Sequence, residues 1–206
     1  MAGKKRSGLA NDRRAYGCGR CYTPTPCGVI NIGSIATNDG EGTYTLNGNY
    51  TITACQILNI PVGTTLLITG GKTLTNSGTI NNSGYFYNYS GGGTVNNSST
   101  FNNSGYLYNN TGGGGCIINN NTGGFIYTYG SGAIFNNPGG IINNNSGGFI
   151  YTYGGGNIFN DSGATINNNS GGTISTSNGG TCGAGTISGL GTFNGVIPTN
   201  TNCPPP

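Results

Sequence analysis

The chain has 206 residues, of which 5% are charged; it has no His and no Trp, and its formal net charge is +3. Without His there can be no Ser-His couple, and with four acidic residues paired-carboxylate chemistry has almost nothing to work with. Gly (43 residues) and Asn (33) give the bulk composition of a low-complexity chain, but 13 Tyr, 7 Phe and a strict placement of apolar residues argue for an ordered one.

Read in chain order, the first segment is a basic arm, residues 1–27. Lys4, Lys5, Arg6, Arg13, Arg14 and Arg20 are six of the seven basic residues, and only Lys72 follows them. Such a run is either a solvated tail or an anchor on an acidic surface. Nucleic acid is not expected as a partner except through this arm. "MAGKKRSGLANDRR" has no apolar core after its positive residues, so it does not read as a secretory signal. No apolar run approaches membrane-spanning length.

The arm also holds "CGRCYTPTPC", with Cys18, Cys21 and Cys27. The C-x₂-C spacing suits zinc, but only if Cys55 completes the ligand set, since no His is present. The spacing fits disulfides better if the protein ends in an oxidising place, with Cys18, Cys21, Cys27, Cys55, Cys182 and Cys203 as candidates. No metal or other cofactor is therefore expected. Cys116 shares the parity of Ile118 and reads as core.

Residues 28–75 alternate Thr, Ile and Leu as ordinary β sequence and read as an N-terminal cap with the first coils. The body, 76–197, is a repeat. Ile118, Ile126, Ile134, Ile142, Ile150, Ile158, Ile166 and Ile174 fall in steps of eight, and three steps give the 24-residue near-identity of "FIYTYGSGAIFNNPGGIINNNSGG" and "FIYTYGGGNIFNDSGATINNNSGG". Each step is a short β segment followed by a Gly/Asn/Ser turn, which is too short and Gly-rich for a helical repeat. Three strands and three turns close a triangular coil. The predicted fold is all-β, a single-stranded parallel β-helix: a three-sided solenoid with coils of about 21–24 residues.

Strand alternation assigns the faces. Ile126 and Thr128 point inward, and Phe125, Tyr127 and Tyr129 outward; Phe149, Tyr151 and Tyr153 repeat that outward set, so Tyr127 should stack on Tyr151 and Tyr129 on Tyr153. Upstream, "GTINNSGYFYNY" and "STFNNSGYLYNN" match at a spacing of 21, with Leu74, Ile80, Phe86, Val95, Phe101 and Leu107 as inward candidates. "TGGGGC", 111–116, is where the shorter coil gives way to the longer. Across that joint the faces stay ambiguous: order separates "YFYNY" from "FIYTY", and motif likeness joins them. Asn stacked on Asn can form amide ladders. Residues 175–197 lose the strict register and read as the last coil. Residues 198–206 form a Pro-rich tail that cannot continue a sheet.

In function, Asp161 and Lys72 offer the body no catalytic pair, so no catalytic residue and no enzymatic activity are expected. An ice-binding face would need a flat outward Thr row, and the recurring pair Thr128 and Thr152 shares the inward parity. The Asn-x-Ser/Thr sequons follow from composition alone. The outward aromatics Phe125, Tyr127, Tyr129, Phe149, Tyr151 and Tyr153 read as an interface or as a ladder that stiffens the solenoid.

"KTLTNSGTINNSG" (72–84) and "GIINNNSGG" (140–148) resemble the Asn/Gly-rich β-helix repeats of proteins from giant icosahedral DNA viruses, over roughly residues 60–175. Similar repeats occur in some bacterial and phage surface proteins, though the short length departs from large adhesins. The resemblance implies a structural virion protein, such as a minor capsid protein, cap or surface projection, made in the host cytoplasm and located in the particle. Its expected partners are other capsid proteins or a copy of itself. The alternative is a surface module that binds a glycan or a receptor.

Overall fold

The computed structural model describes residues 27–109, 115–177 and 180–194. The chain winds through three sheets in turn. Face A holds Gly28–Ile30, Gln56–Ile60, Thr79–Asn82, Thr100–Asn103, Phe125–Tyr129, Phe149–Tyr153, Thr173–Ser177 and Thr192–Asn194. Face B holds Ala36–Asn38, Thr43–Leu46, Thr65–Ile68, Tyr85–Asn88, Tyr106–Asn109, Ala133–Asn136, Asn157–Asn160 and Thr181–Cys182. Face C holds Tyr50–Ile52, Thr73–Asn76, Thr94–Asn97, Ile117–Asn120, Ile141–Asn144, Thr165–Asn168 and Thr186–Ser188. Each strand pairs in parallel with its counterpart one coil later, as the sequence predicts for a three-sided solenoid. The exception among the described residues is Ala36–Asn38, which runs antiparallel to Thr43–Leu46. With the 3-10 turn Ile32–Ser34, capped by the Asn31 side chain accepting from the Gly33 N–H at 2.9 Å, that hairpin covers the N-terminal end. The last coil, 173–194, continues the same parallel pairing.

The core follows strand parity. On face A, Leu58, Ile80, Phe101, Ile126, Ile150 and Ile174 form one inward row. On face B, Leu66, Phe86, Leu107, Ile134 and Ile158 form another. On face C, Leu74, Val95, Ile118, Ile142 and Ile166 complete the triangle. Each fully buried Ile or Leu contributes about 2 kcal/mol. Chain order, and not motif likeness, settles the ambiguous joint. "YFYN" lies on face B and pairs with "YLYN", whereas "FIYTY" lies on face A over Thr100–Asn103.

The second inward position of each strand carries a change of chemistry. Ile52, Ile60 and Ile68 occupy it in the first full coil, all completely buried. One coil later the same three positions are Asn76, Asn82 and Asn88. From there buried amides run down the corners. On face C the Nδ2 of Asn76 donates to Asn97 at 2.7 Å, and the chain of donors continues through Asn120 and Asn144 to Asn168. On face B it runs Asn88, Asn109, Asn136, Asn160. Most of these amides donate also to a carbonyl across the corner, as Asn144 does to Thr173 at 3.0 Å. A buried amide is tolerated only when its donors and acceptors are met, and these ladders meet most of them internally. Outward ladders on face C run the other way: Asn167 donates to Asn143, Asn143 to Asn119 and Asn119 to Asn96. Inner and outer amide dipoles therefore oppose one another.

Face A departs from this. Its inner ladder has two members, Asn82 and Asn103, and then the position becomes Thr128, Thr152 and Thr176. The hydroxyls of these three threonines are buried without a hydrogen-bond partner. Thr128 and Thr152 are inward and fully buried, so they form no outward Thr row.

Candidate functional site

Parallel in-register strands put equivalent side chains one above the next, so any aromatic in the repeat becomes a row on the surface. Face A presents two such triplets, with Phe125 over Phe149, Tyr127 over Tyr151 and Tyr129 over Tyr153. All six predicted interface aromatics are thus brought into one block. Their rings do not share one geometry. Phe125 and Phe149 stack at 5.7 Å, and Tyr129 and Tyr153 at 5.9 Å. Tyr127 and Tyr151 meet edge to face, with centroids 6.3 Å apart and planes at 90°, instead of stacking. Phe149 and Tyr153 remain 41% and 43% exposed, which leaves apolar ring surface open on one flat side of the solenoid.

Face B carries a second aromatic surface, one that sequence reasoning did not single out as a site. Tyr87, Tyr108, Phe135 and Phe159 stack as a continuous column, with centroid separations of 4.5, 4.7 and 4.7 Å and planes within 5°, 11° and 7° of parallel. Tyr85 and Tyr106 stack beside it at 5.4 Å. In such a column the ring faces are spent on each other, and edges and hydroxyls point outward. The signal was in "YFYNY" and "YLYNN", whose outward positions are Tyr at the same spacing as their inward Phe86 and Leu107.

The column alters its own acidity. Burial pushes the Tyr108 hydroxyl up to about 12, with the neighbouring phenols Tyr87, Tyr106 and Tyr85 adding repulsion between phenolates. Tyr87 is raised for the same first reason, burial.

The cysteines sort themselves by position. Cys27 and Cys55 form a disulfide that ties the start of Gly28–Ile30 to the start of its sheet neighbour Gln56–Ile60. That bond uses up the sulfur that a zinc site would have needed as its fourth ligand. Cys182 is disulfide-bonded as well. Cys116 is buried, and burial raises its thiol above the ordinary range. Cys18, Cys21 and Cys203, and the arm residues Lys4, Lys5, Arg6, Arg13, Arg14 and Arg20, lie outside the described residues.

Among the described residues no three His, Cys, Asp or Glu side chains gather as a metal-binding group. Lys72 and Asp161 stand on different coils, Lys72 before Thr73–Asn76 and Asp161 after Asn157–Asn160. No helix among the described residues is long and apolar enough to cross a membrane. Comparison with models of protein families, with curated proteins and with solved structures finds no match.

Proposed function

We propose that the chain is a non-catalytic structural protein of a virus particle, a minor capsid protein, cap or surface projection made in the host cytoplasm. Its basic arm is the anchor and its face A aromatics are the contact surface. The observation that carries this reading is the face A block. Six rings sit in register on a stiff, almost uncharged body, and two of them stay open to solvent, which is what an unfilled interface requires. The resemblance of the repeat to giant-virus β-helices gives the particle its place in the proposal. The partner on face A is another capsid protein or a second copy of the chain.

The test is incorporation into particles. Deletion of residues 4–20 is expected to abolish recovery of the chain with purified virions, and Tyr151→Ala with Tyr153→Ala to reduce it. Unchanged recovery of the arm deletion sinks the anchor. Light scattering with small-angle X-ray scattering, with and without reductant, separates self-association through the rings from association through cysteine.

A second reading is a glycan- or receptor-binding module, in which the outward aromatic block of face A, with Phe149 and Tyr153 exposed, would pack on a sugar. A glycan array then shows binding that Tyr127→Ala and Tyr151→Ala remove. An array without hits, or hits untouched by these changes, eliminates it.

A further inference from the structure

We propose that the tyrosine cluster on face B is an oxidative cross-linking site, in which Tyr87 and Tyr108 are joined ring carbon to ring carbon and staple one coil to the next. The inference does not depend on what the face A surface contacts.

Four phenols sit in a two-by-two block fixed by backbone register, Tyr85 over Tyr106 and Tyr87 over Tyr108. Tyr85 lies 6.3 Å from Tyr87, and Tyr106 lies 6.2 Å from Tyr108. Tyr87 and Tyr108 are the most closely stacked tyrosine pair of the described residues, at 4.5 Å and 5°. The other tyrosine pairs of neighbouring coils are wider or more tilted: 5.4 Å and 18°, 5.9 Å and 26°, 6.3 Å and 90°.

The chemistry is the coupling of two phenols by a peroxide-using oxidant. Each phenol gives up one electron and its hydroxyl proton, becoming a phenoxyl radical. A bond forms between one ortho carbon of each ring, and each ortho hydrogen then moves to its oxygen to restore the aromatic ring. The pair has lost two hydrogens, and one hydrogen peroxide has become two waters. In free solution two such radicals must meet by diffusion. Here they are already in contact, the kind of placement that converts a bimolecular step into a unimolecular one.

Three further features direct oxidation to this block. Tyr85, at 38% exposure, gives an oxidant access, and the stacked contacts relay the electron demand inward. The column continues into Phe135 and Phe159, which have no hydroxyl and end the path. The chain holds no Trp and a single Met to compete as sinks.

The experiment treats the purified full chain with a haem peroxidase and hydrogen peroxide, isolates the monomer, and reads dityrosine fluorescence and the linked peptides by mass spectrometry. A monomer carrying Tyr87 joined to Tyr108, two hydrogens lighter, is expected. Tyr108→Phe keeps the ring and removes the hydroxyl, so the Tyr87–Tyr108 linked peptide should be lost and with it most of the monomer's dityrosine signal. Tyr153→Phe should leave it unchanged, and oxidation in concentrated urea should abolish the link in the wild type. An undiminished signal in Tyr108→Phe, a link mapped to Tyr129 and Tyr153, or links found only between chains would overturn the proposal.

Discussion

The tight coils upstream of the 111–116 joint and the wide coils downstream close the same triangle with different corners. Upstream, Asn76 and Asn82 are each followed by a two-residue Ser-Gly corner, Ser77-Gly78 and Ser83-Gly84. A Cβ on Gly84 would run into the carbonyl oxygens of Thr64 and Pro61, so glycine is there for space. Downstream the corner has four residues and divides the task. In "NSGG", Gly147 turns the chain at φ +74, and Gly148 leaves room for the amide ladder, since a Cβ there would sit 2.6 Å from the Asn120 carbonyl oxygen. The inner Asn ladder survives this widening on faces B and C and fails on face A, where threonine takes over. Corner length and corner satisfaction are therefore separable: the same amide can brace a tight or a wide turn, and where it is absent the hydroxyls are left unpaired.

The largest break expected is in the longest ladder. Asn144→Leu removes the donor to Asn168 and an acceptor of Asn120 and strands buried polar atoms on two coils, at a cost of about 3 kcal/mol in urea unfolding. Asn103→Leu, at the end of the two-member face A ladder, should cost about half as much. Next come the corners. Gly84→Ala forces the backbone apart and should cost about 2 kcal/mol, whereas Gly147→Ala, strained by its φ alone apart from a 3.2 Å contact with Thr122, should cost about 1 kcal/mol. Equal losses would erase the distinction between glycine for space and glycine for conformation.

Thr152→Val tests the exceptional row with the opposite sign. The methyl replaces a buried hydroxyl that has no partner, so the melting temperature should rise, by the equivalent of about 1 kcal/mol. A fall would mean the hydroxyl is satisfied after all.

The smallest effect expected is alkaline. Tyr108 and Tyr87 have folded pKa values raised above the unfolded value of about 10. The folded state thus holds those protons more tightly, and its advantage is full below pH about 10 and lost as pH rises through about 12. Unfolding midpoints should fall over that window, and Tyr108→Phe should flatten the slope.

Much of this was legible because β structure alternates with period two and the repeat counts in eights. Ile118 through Ile174 declared the inward rows, and from them Thr128 inward and Tyr127 outward followed directly. The same parity marked Asn120, two residues after Ile118, as inward, yet Asn also suits turns, and composition masked the buried ladders among surface ones. The face B column was harder to see. Its tyrosines lie upstream of the joint and its phenylalanines downstream, and only the pairing of Tyr106–Asn109 with Ala133–Asn136 joins them. Cysteine spacing proposed six candidates but could not select Cys27 with Cys55, because a disulfide depends on where the cap returns to face A.

Periodicity by itself determined the solenoid, its inward rows and its need for glycine corners, since each is a consequence of local alternation and of what a backbone turn permits. Tertiary structure alone decided which face each strand occupies, how the rings of neighbouring coils meet, and which amides are buried. Those depend on the order in which successive strands take the three sides, which continues unbroken through the long corner, so that segments alike in sequence come to lie on different sides of the triangle.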